Sequence, residues 1–324
     1  MEIYELFDYT LPPRLTEYMN YMLTVKNMSM ETIKNYKSEI KMFLRFVKKL
    51  RTRSKEKLEL IDISDIDDEF IRRITLNEMY AYISYVTIER KNGAYARARK
   101  ISALKSFFKY LESKAKVITQ NPARELEAPK IDKRNPIYLT FEESKRLLNK
   151  ISGNHKERNY CIIMLFLNCG LRLSELTGIN ISNIKEDTLT VIGKGNKERT
   201  VYLNEACLDA INDYLEVRLE PEDEEDKDAL FISGKRKRIS KKAVQSFLKK
   251  YLAEAELTGK KYTVHKLRHT SATLLYKHGK VDIRVLQQIL GHKSVATTQI
   301  YTHVDEEQLR EAVKSNPLAD FTKK

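Results

Sequence analysis

The stretch Thr188-Leu-Thr-Val-Ile-Gly-Lys-Gly-Asn-Lys-Glu-Arg-Thr-Val-Tyr-Leu203 decides the fold class. Residues 188–192 favour β structure, Gly193-Lys194-Gly195-Asn196 supplies turn chemistry, and residues 199–203 return as a second strand. Elsewhere apolar residues recur mostly at helical spacing. The expectation is therefore a mainly α protein with one small antiparallel β-sheet.

Outward from this hairpin toward the C-terminus, Ser240 caps a basic helix reaching about Leu252. Further helices are expected over 265–278 (closed by Gly279), 282–290 (closed by Gly291), 294–301 and 305–313. Residues 221–228 make an acidic loop, expected to be exposed and chemically silent. Toward the N-terminus, Thr140 and Glu143 form a capping box that opens a helix. Just before it, residues 128–136 contain Pro129, Pro136, Lys130, Lys133 and Arg134 and read as an extended basic linker. The expected division is a first domain over 1–127, a linker over 128–136 and a second domain over 137–324.

The first domain reads as a helical bundle. Ser29 caps residues 30–49, where Ile33, Tyr36, Ile40, Phe43 (or Leu44) and Val47 share a stripe. After Gly93 a second stripe runs through Ile101, Leu104, Phe108 and Leu111, with Arg97, Arg99, Lys100, Lys105 and Lys109 around it. A solvated basic face and a helix lying on DNA phosphates both fit that pattern. Residues 51–69 switch from basic to acidic and are expected as a surface excursion.

Charge narrows the partner. The 324 residues carry a net charge of +14, which favours a polyanion, either nucleic acid or an anionic membrane. Residues 1–135 hold 27 Lys+Arg against 19 Asp+Glu, and the rest 32 against 26, so both parts could touch the same partner. No apolar run approaches the roughly 18–20 residues that span a bilayer, and no amphipathic helix pairs a strongly apolar face with a basic one, so a membrane partner is not expected. Cys161, Cys169 and Cys207 are odd in number and lack CxxC spacing. With an acidic N-terminus lacking a signal-peptide core, they point to a reducing cytoplasm.

Several residues invite a chemical reading, each with a plainer alternative. Arg172, entering after the apolar run 161–167, needs a partner, and Glu175 three residues on can be one. That pair is structural or else an arginine braced toward a phosphate. Lys194 is an ordinary turn lysine or one delivered into a groove by the hairpin tip. His265, Arg268 and His269 share one helical face. Metal ligation by the two histidines is disfavoured, because Arg268 would repel a cation and no carboxylate or cysteine is near in sequence. A phosphate would be welcomed there. His292 follows Leu290-Gly291 at a helix end, and Tyr301 is one of 18 tyrosines.

Taken together and in order, Arg172, Glu175, Lys194, His265, Arg268, His292 and Tyr301 resemble the tyrosine recombinases of the phage-integrase superfamily. The matching segments are Gly170-Leu-Arg-Leu-Ser-Glu-Leu176, Gly193-Lys-Gly-Asn-Lys-Glu-Arg199, His265-Lys-Leu-Arg-His-Thr-Ser-Ala-Thr273, Leu290-Gly-His292 and Tyr301-Thr-His303. The likeness spans nearly the whole chain and is nearest to the compact Xer-type members. It implies an N-terminal core-binding domain (a SAM-like bundle) that clamps DNA, and an α-rich catalytic domain with a small antiparallel sheet. A C-terminal tail would be exchanged with a neighbouring subunit.

The resemblance also implies roles: Tyr301 as nucleophile, His265 as its proton acceptor, Arg172 and Arg268 on the phosphate, Lys194 as general acid, and His292 as a phosphate donor. Glu175 and His269 would support them. Arg97, Arg99, Lys100, Lys105, Lys130, Lys133 and Arg134 are expected DNA contacts. Neither metal nor cofactor is expected. The implied partner is double-stranded DNA with an inverted-repeat site, bound by a homotetramer or a heterotetramer with a second recombinase, with room for a septal DNA translocase. The location would be cytoplasmic, at the nucleoid. Chromosome-dimer resolution is the favoured outcome. A mobile-element integrase or excisionase, a catalytically silent DNA-binding homologue and a type IB topoisomerase are the alternatives.

Overall fold

The computed structural model describes residues 10–130, 136–193, 197–279, 281–292 and 294–301. The chain divides into two compact units, Met1–Lys133 and Arg134–Lys324. The division falls inside the stretch expected as a linker.

The first unit holds α1 (Pro13–Thr24), α2 (Met30–Thr52), α3 (Asp68–Arg72), α4 (Leu76–Ile88) and α5 (Ala94–Ser113). The Thr32 N–H donates to Ser29 Oγ, the expected cap, and α2 runs three residues beyond the expected end. On α2, Ile33, Ile40, Phe43, Leu44 and Val47 are buried; on α5, Ile101, Leu104, Phe108 and Leu111 are buried with Phe107. Both apolar stripes thus face one core. Aromatic rings fill it, with Phe43 edge-on to Tyr82 and to Phe108.

Residues 51–69 differ in part from expectation. The segment is charged in composition, yet Leu58, Ile61, Ile63 and Ile66 are buried in it. Arg51, at its start, donates to both carboxylate oxygens of Glu78 and lies over the Phe70 ring. Isolated isoleucines in a charged run escape a periodicity reading because neither helical nor strand spacing organises them. The segment is exposed along most of its length, as expected, and is anchored to the core through Ile61, Ile63 and Ile66.

The second unit is built on α7 (Lys156–Cys169), which follows α6 (Phe141–Asn149) and whose residues 161–167 are all buried. The expected capping box is present at the start of α6: the Glu143 N–H donates to Thr140 Oγ1 and the Thr140 N–H to Glu143 Oε2. After the short α8 (Leu173–Thr177) comes a three-stranded antiparallel sheet of β1 (Ile184–Lys185), β2 (Thr188–Ile192) and β3 (Glu198–Tyr202). The two-residue β1 was not anticipated, being too short to show alternation. In the expected hairpin Leu189 pairs with Val201 and Val191 with Arg199. Then follow α9 (Glu205–Glu216), a 3-10 turn at Glu224–Asp226, α10 (Lys241–Glu254), α11 (Val264–Lys277), α12 (Ile283–Leu290), α13 (Val295–Thr298) and a further 3-10 turn at Gln299–Tyr301. The expected helix over 294–301 is therefore a helical turn and a tighter one, opened by Ser294. The helix expected over 305–313 and the tail lie outside the described residues. No helix among the described residues is long and apolar enough to cross a membrane.

Candidate active site

Two glycines shape the site. Gly170 closes α7 with φ 58°, and a Cβ there would lie 2.9 Å from Leu290 Cδ2. Gly291 closes α12 with φ 61°, and a Cβ there would lie 2.7 Å from Arg199 Cδ. Both positions combine a left-handed backbone with a close approach, so only glycine fits without displacement.

The turn at Gly170 makes Arg172 the N-cap of α8, and Glu175 folds back on it. Arg172 donates its backbone N–H to Glu175 Oε2 at 2.8 Å and Nη1 to Oε1 at 2.5 Å. The pairing expected from the i, i+3 spacing is therefore made, but Glu175 holds a second cation as well. Arg199, on β3, donates Nη2 to Glu175 Oε2 at 2.9 Å. The Glu175 side chain has no exposure. Burial opposes its charge, yet Arg199 and the hydrogen bonds from Arg172 outweigh that and hold the carboxyl below the usual range.

Arg268, on α11, is buried and donates to two carbonyls, Gly170 O at 2.6 Å and Leu290 O at 2.5 Å. Arg172 donates Nη2 to Gly291 O at 3.1 Å, and Arg199 donates Nη1 to Ile289 O at 2.6 Å. Three consecutive carbonyls at the end of α12 thus each accept from a different arginine. Such carbonyls lack intrahelical partners and carry the negative end of the helix dipole. Burial, then the nearby Arg172, pull the Arg268 guanidinium down to about 10, still charged at neutral pH.

The histidines and the tyrosine complete the group. His265 and His269 stand one turn apart on α11, ring centroids 4.6 Å apart and edge-to-face. Tyr301 Oη lies 2.7 Å from His269 Nδ1, with the ring seated among Ala272, Leu286 and Leu290. His292 Nδ1 lies 3.0 Å from Thr298 Oγ1, which ties the α12 end to α13. Burial and neighbouring cationic or imidazole groups pull His269 and His292 down to about 4, and His265 down as well. Burial pushes the Tyr301 phenol up to about 12. The site therefore presents charged guanidinium groups, neutral imidazoles and a protonated phenol, with Glu175 as the carboxylate among the described residues.

Of the residues singled out from the sequence, Arg172, Glu175, His265, Arg268, His269, His292 and Tyr301 come together; Lys194 lies outside the described residues. The phenol meets His269, expected only to support, rather than His265. Among the expected DNA contacts, Lys105 and Lys130 are exposed, while Lys133 and Arg134 lie outside the described residues. Arg99 keeps its side chain 61% exposed while pairing with Glu39. Arg97 is half-buried and donates to Thr87 Oγ1 at 3.4 Å. Lys100 departs from expectation: it is buried and paired with Glu39. Lying three and four residues before buried Ala103 and Leu104, it sits on the core-facing side of α5, so its ammonium neutralises a buried carboxylate instead of facing a ligand. Arg199 was missed, although alternation could have found it, since it shares the inward face of β3 with buried Val201.

Residues 138–308 match the phage integrase family, and residues 15–115 match the phage integrase N-terminal SAM-like domain. The tyrosine recombinase XerC of Caldanaerobacter subterraneus subsp. tengcongensis is 59% identical over 310 residues, 95% of this chain and 88% of its own length. The tyrosine recombinase XerC of Thermodesulfovibrio yellowstonii is 35% identical, covering 94% of this chain and 96% of its own. A crystal structure of XerH site-specific recombinase bound to difH substrate, a pre-cleavage complex, shares the fold with a TM-score of 0.67. That likeness has 24% identity and covers 90% of this chain and 80% of that one. The chain belongs to the phage integrase family, as a Xer-like tyrosine recombinase.

Proposed function

We propose that the Tyr301 phenol attacks a DNA backbone phosphate and leaves a 3′-phosphotyrosine and a free 5′ hydroxyl. A phenol is protonated at neutral pH and must lose its proton during attack. That proton passes into the His265–His269 pair, with His265, as the family resemblance has it, the acceptor on the phosphate side. Arg172 and Arg268 hold the non-bridging oxygens through forked donors that a lysine could not duplicate. His292 donates to the same phosphate, and Lys194 protonates the departing 5′ oxygen. Because the phosphotyrosine conserves the bond energy, the 5′ hydroxyl of a partner duplex rejoins the strand without ATP.

The observation that carries this reading is the convergence of Arg172 and Arg268 on adjacent carbonyls, Gly291 and Leu290, beside the buried Tyr301. The biological role we propose is Xer-type chromosome-dimer resolution in the cytoplasm, at the nucleoid. A tetramer, of this chain alone or with a second recombinase, would act on paired inverted-repeat sites, with a septal DNA translocase as a further partner. The identity with XerC relatives supports that role over a mobile-element one.

Incubation with nicked suicide duplexes tests the chemistry. The wild type is expected to form a protein–DNA adduct and Tyr301→Phe none. An adduct that survives in Tyr301→Phe, or a wild type that binds its site and never forms one, would refute the proposal. The latter result would favour the silent DNA-binding homologue.

A further inference from the structure

We infer that Arg199 is a positioning residue of this reaction: from β3 it locks Glu175 to the C-terminal end of α12, and so aims Arg172 and His292 at the phosphate. The inference rests on the reading of the pocket given above. Arg199 donates to Glu175 Oε2 at 2.9 Å and to Ile289 O at 2.6 Å, so one guanidinium spans two elements. Glu175 in turn holds Arg172 by side chain and backbone. The Arg199 stem fills the space that a side chain at Gly291 would need, and His292 follows directly. Removing Arg199 would therefore loosen two phosphate-facing groups at once, although it reaches the phosphate through neither of its bonds.

Two features argue for a fork at this position and not a mere cation. A lysine offers a single point charge, which could satisfy the carboxylate or the carbonyl but not hold both in fixed geometry. Arg199 Nε is buried and, among the described residues, has no hydrogen-bond partner. With that donor unpaired, the guanidinium is fixed by its two bonds to Glu175 and to the α12 end. The charged groups facing Glu175 are Arg172 from its own element, Arg199 from β3 and Arg268 from α11. From the α12 end, His292 faces the same three arginines.

The variants Arg199→Met, Arg199→Lys and Arg199→Met/Glu175→Gln test this on the duplex that the wild type retains covalently, nicked to trap cleavage. Arg199→Met is expected to cleave about 10²-fold slower, the cost of displacing catalytic groups by about 1 Å, while binding DNA within about threefold of wild type. Without Arg199 the Glu175 carboxyl loses one of the two cations that oppose its burial and moves up from its depressed value. The residual rate should then fall more steeply from pH 8 to 5.5 than that of the wild type or of the double variant. Arg199→Lys, which keeps the charge, should lose about tenfold, because it serves one acceptor of two.

Cleavage by Arg199→Met within threefold of wild type overturns the inference. A slower rate with an unchanged pH profile, or one matched by lost DNA affinity, also overturns it, by making the role structural. If Arg199→Met fails to fold by circular dichroism, Arg199→Lys decides, and an unimpaired rate there is fatal. A wild type without adduct sinks the proposed function instead, and is distinguishable from these outcomes.

Discussion

Truncation of Glu175 to alanine should destabilise the second unit by about 3 kcal/mol. Removing one member of a buried ion pair costs about 3–5 kcal/mol, because a desolvated charge is left behind. Here one carboxylate serves two cations, with its own side chain fully buried and those of Arg172 and Arg199 36% and 14% exposed. Arg172 can regain water, which sets the value at the low end; Arg199 cannot do so readily. For a unit of this size 3 kcal/mol corresponds to a Tm lower by roughly 6–12 °C. Hydrogen exchange on peptides from α7 to α9 reads the loss within the unit. Glu175→Gln keeps the shape and should lose less.

The pH dependence has a definite sign. The folded carboxyl is held below its unfolded value, so its contribution is present above the ordinary carboxylate range near 4 and is lost as pH falls through the depressed value. The difference between wild type and Glu175→Gln should therefore vanish in acid. An alanine variant within about 1 kcal/mol of wild type, below the range for broken buried pairs, would show that the two arginines have another counter-charge and refute the reasoning.

Four other outcomes are expected. Lys100→Met should destabilise the first unit and leave the salt dependence of DNA binding unchanged, whereas Lys105→Ala should lower the log–log salt slope by about one if it touches a phosphate; anisotropy titrations between 50 and 200 mM salt separate them. Gly291→Ala should cost about 1–2 kcal/mol from its left-handed backbone, and slow cleavage beyond that by displacing Arg199, while Gly259→Ala, whose Cβ would meet nothing within 4 Å, should do neither. Because His269 and His292 are held down to about 4, the unfolded chain binds more protons between roughly pH 6.5 and 4. The free protein should thus melt progressively earlier across that window, less so in His269→Asn/His292→Asn. Lys194→Ala should slow cleavage, and a duplex with a 5′-thio leaving group should restore it if Lys194 is the general acid.

Much of this was legible because some signals are local. The Ser29 cap, the Thr140–Glu143 box and the Gly291 stop depend on residues within one turn, and each appears as expected. The set proposed as catalytic was visible as an ordered series of motifs, and the Arg172–Glu175 pair by its i, i+3 spacing. What escaped depends on tertiary neighbours. The buried isoleucines of 61–66 lie in a charged run without period. Lys100 is buried because Glu39, 61 residues away, receives it; spacing sets it on the apolar side of the helix, but nothing local shows that a buried carboxylate waits there. The contact between Tyr301 and His269 joins residues 32 apart through the packing of α11 against the last turn.

The carbonyls of α12 explain how a cationic pocket stays folded before DNA arrives. Three guanidinium groups surround one carboxylate, and unscreened repulsion among them would drive the side chains toward solvent. Each instead donates to a carbonyl at a helix end, where partial negative charge is fixed in place and needs no counter-ion. A guanidinium has five N–H groups in a rigid plane, so satisfying a carbonyl leaves others free and already aimed. The helix end therefore stabilises the arginines and orients them together. Neutral histidines add no repulsion, and gain a reason to protonate only when an anionic phosphate enters. Preorganisation here follows from placing donors against backbone acceptors that cannot titrate, which is why the geometry is assembled in the free protein.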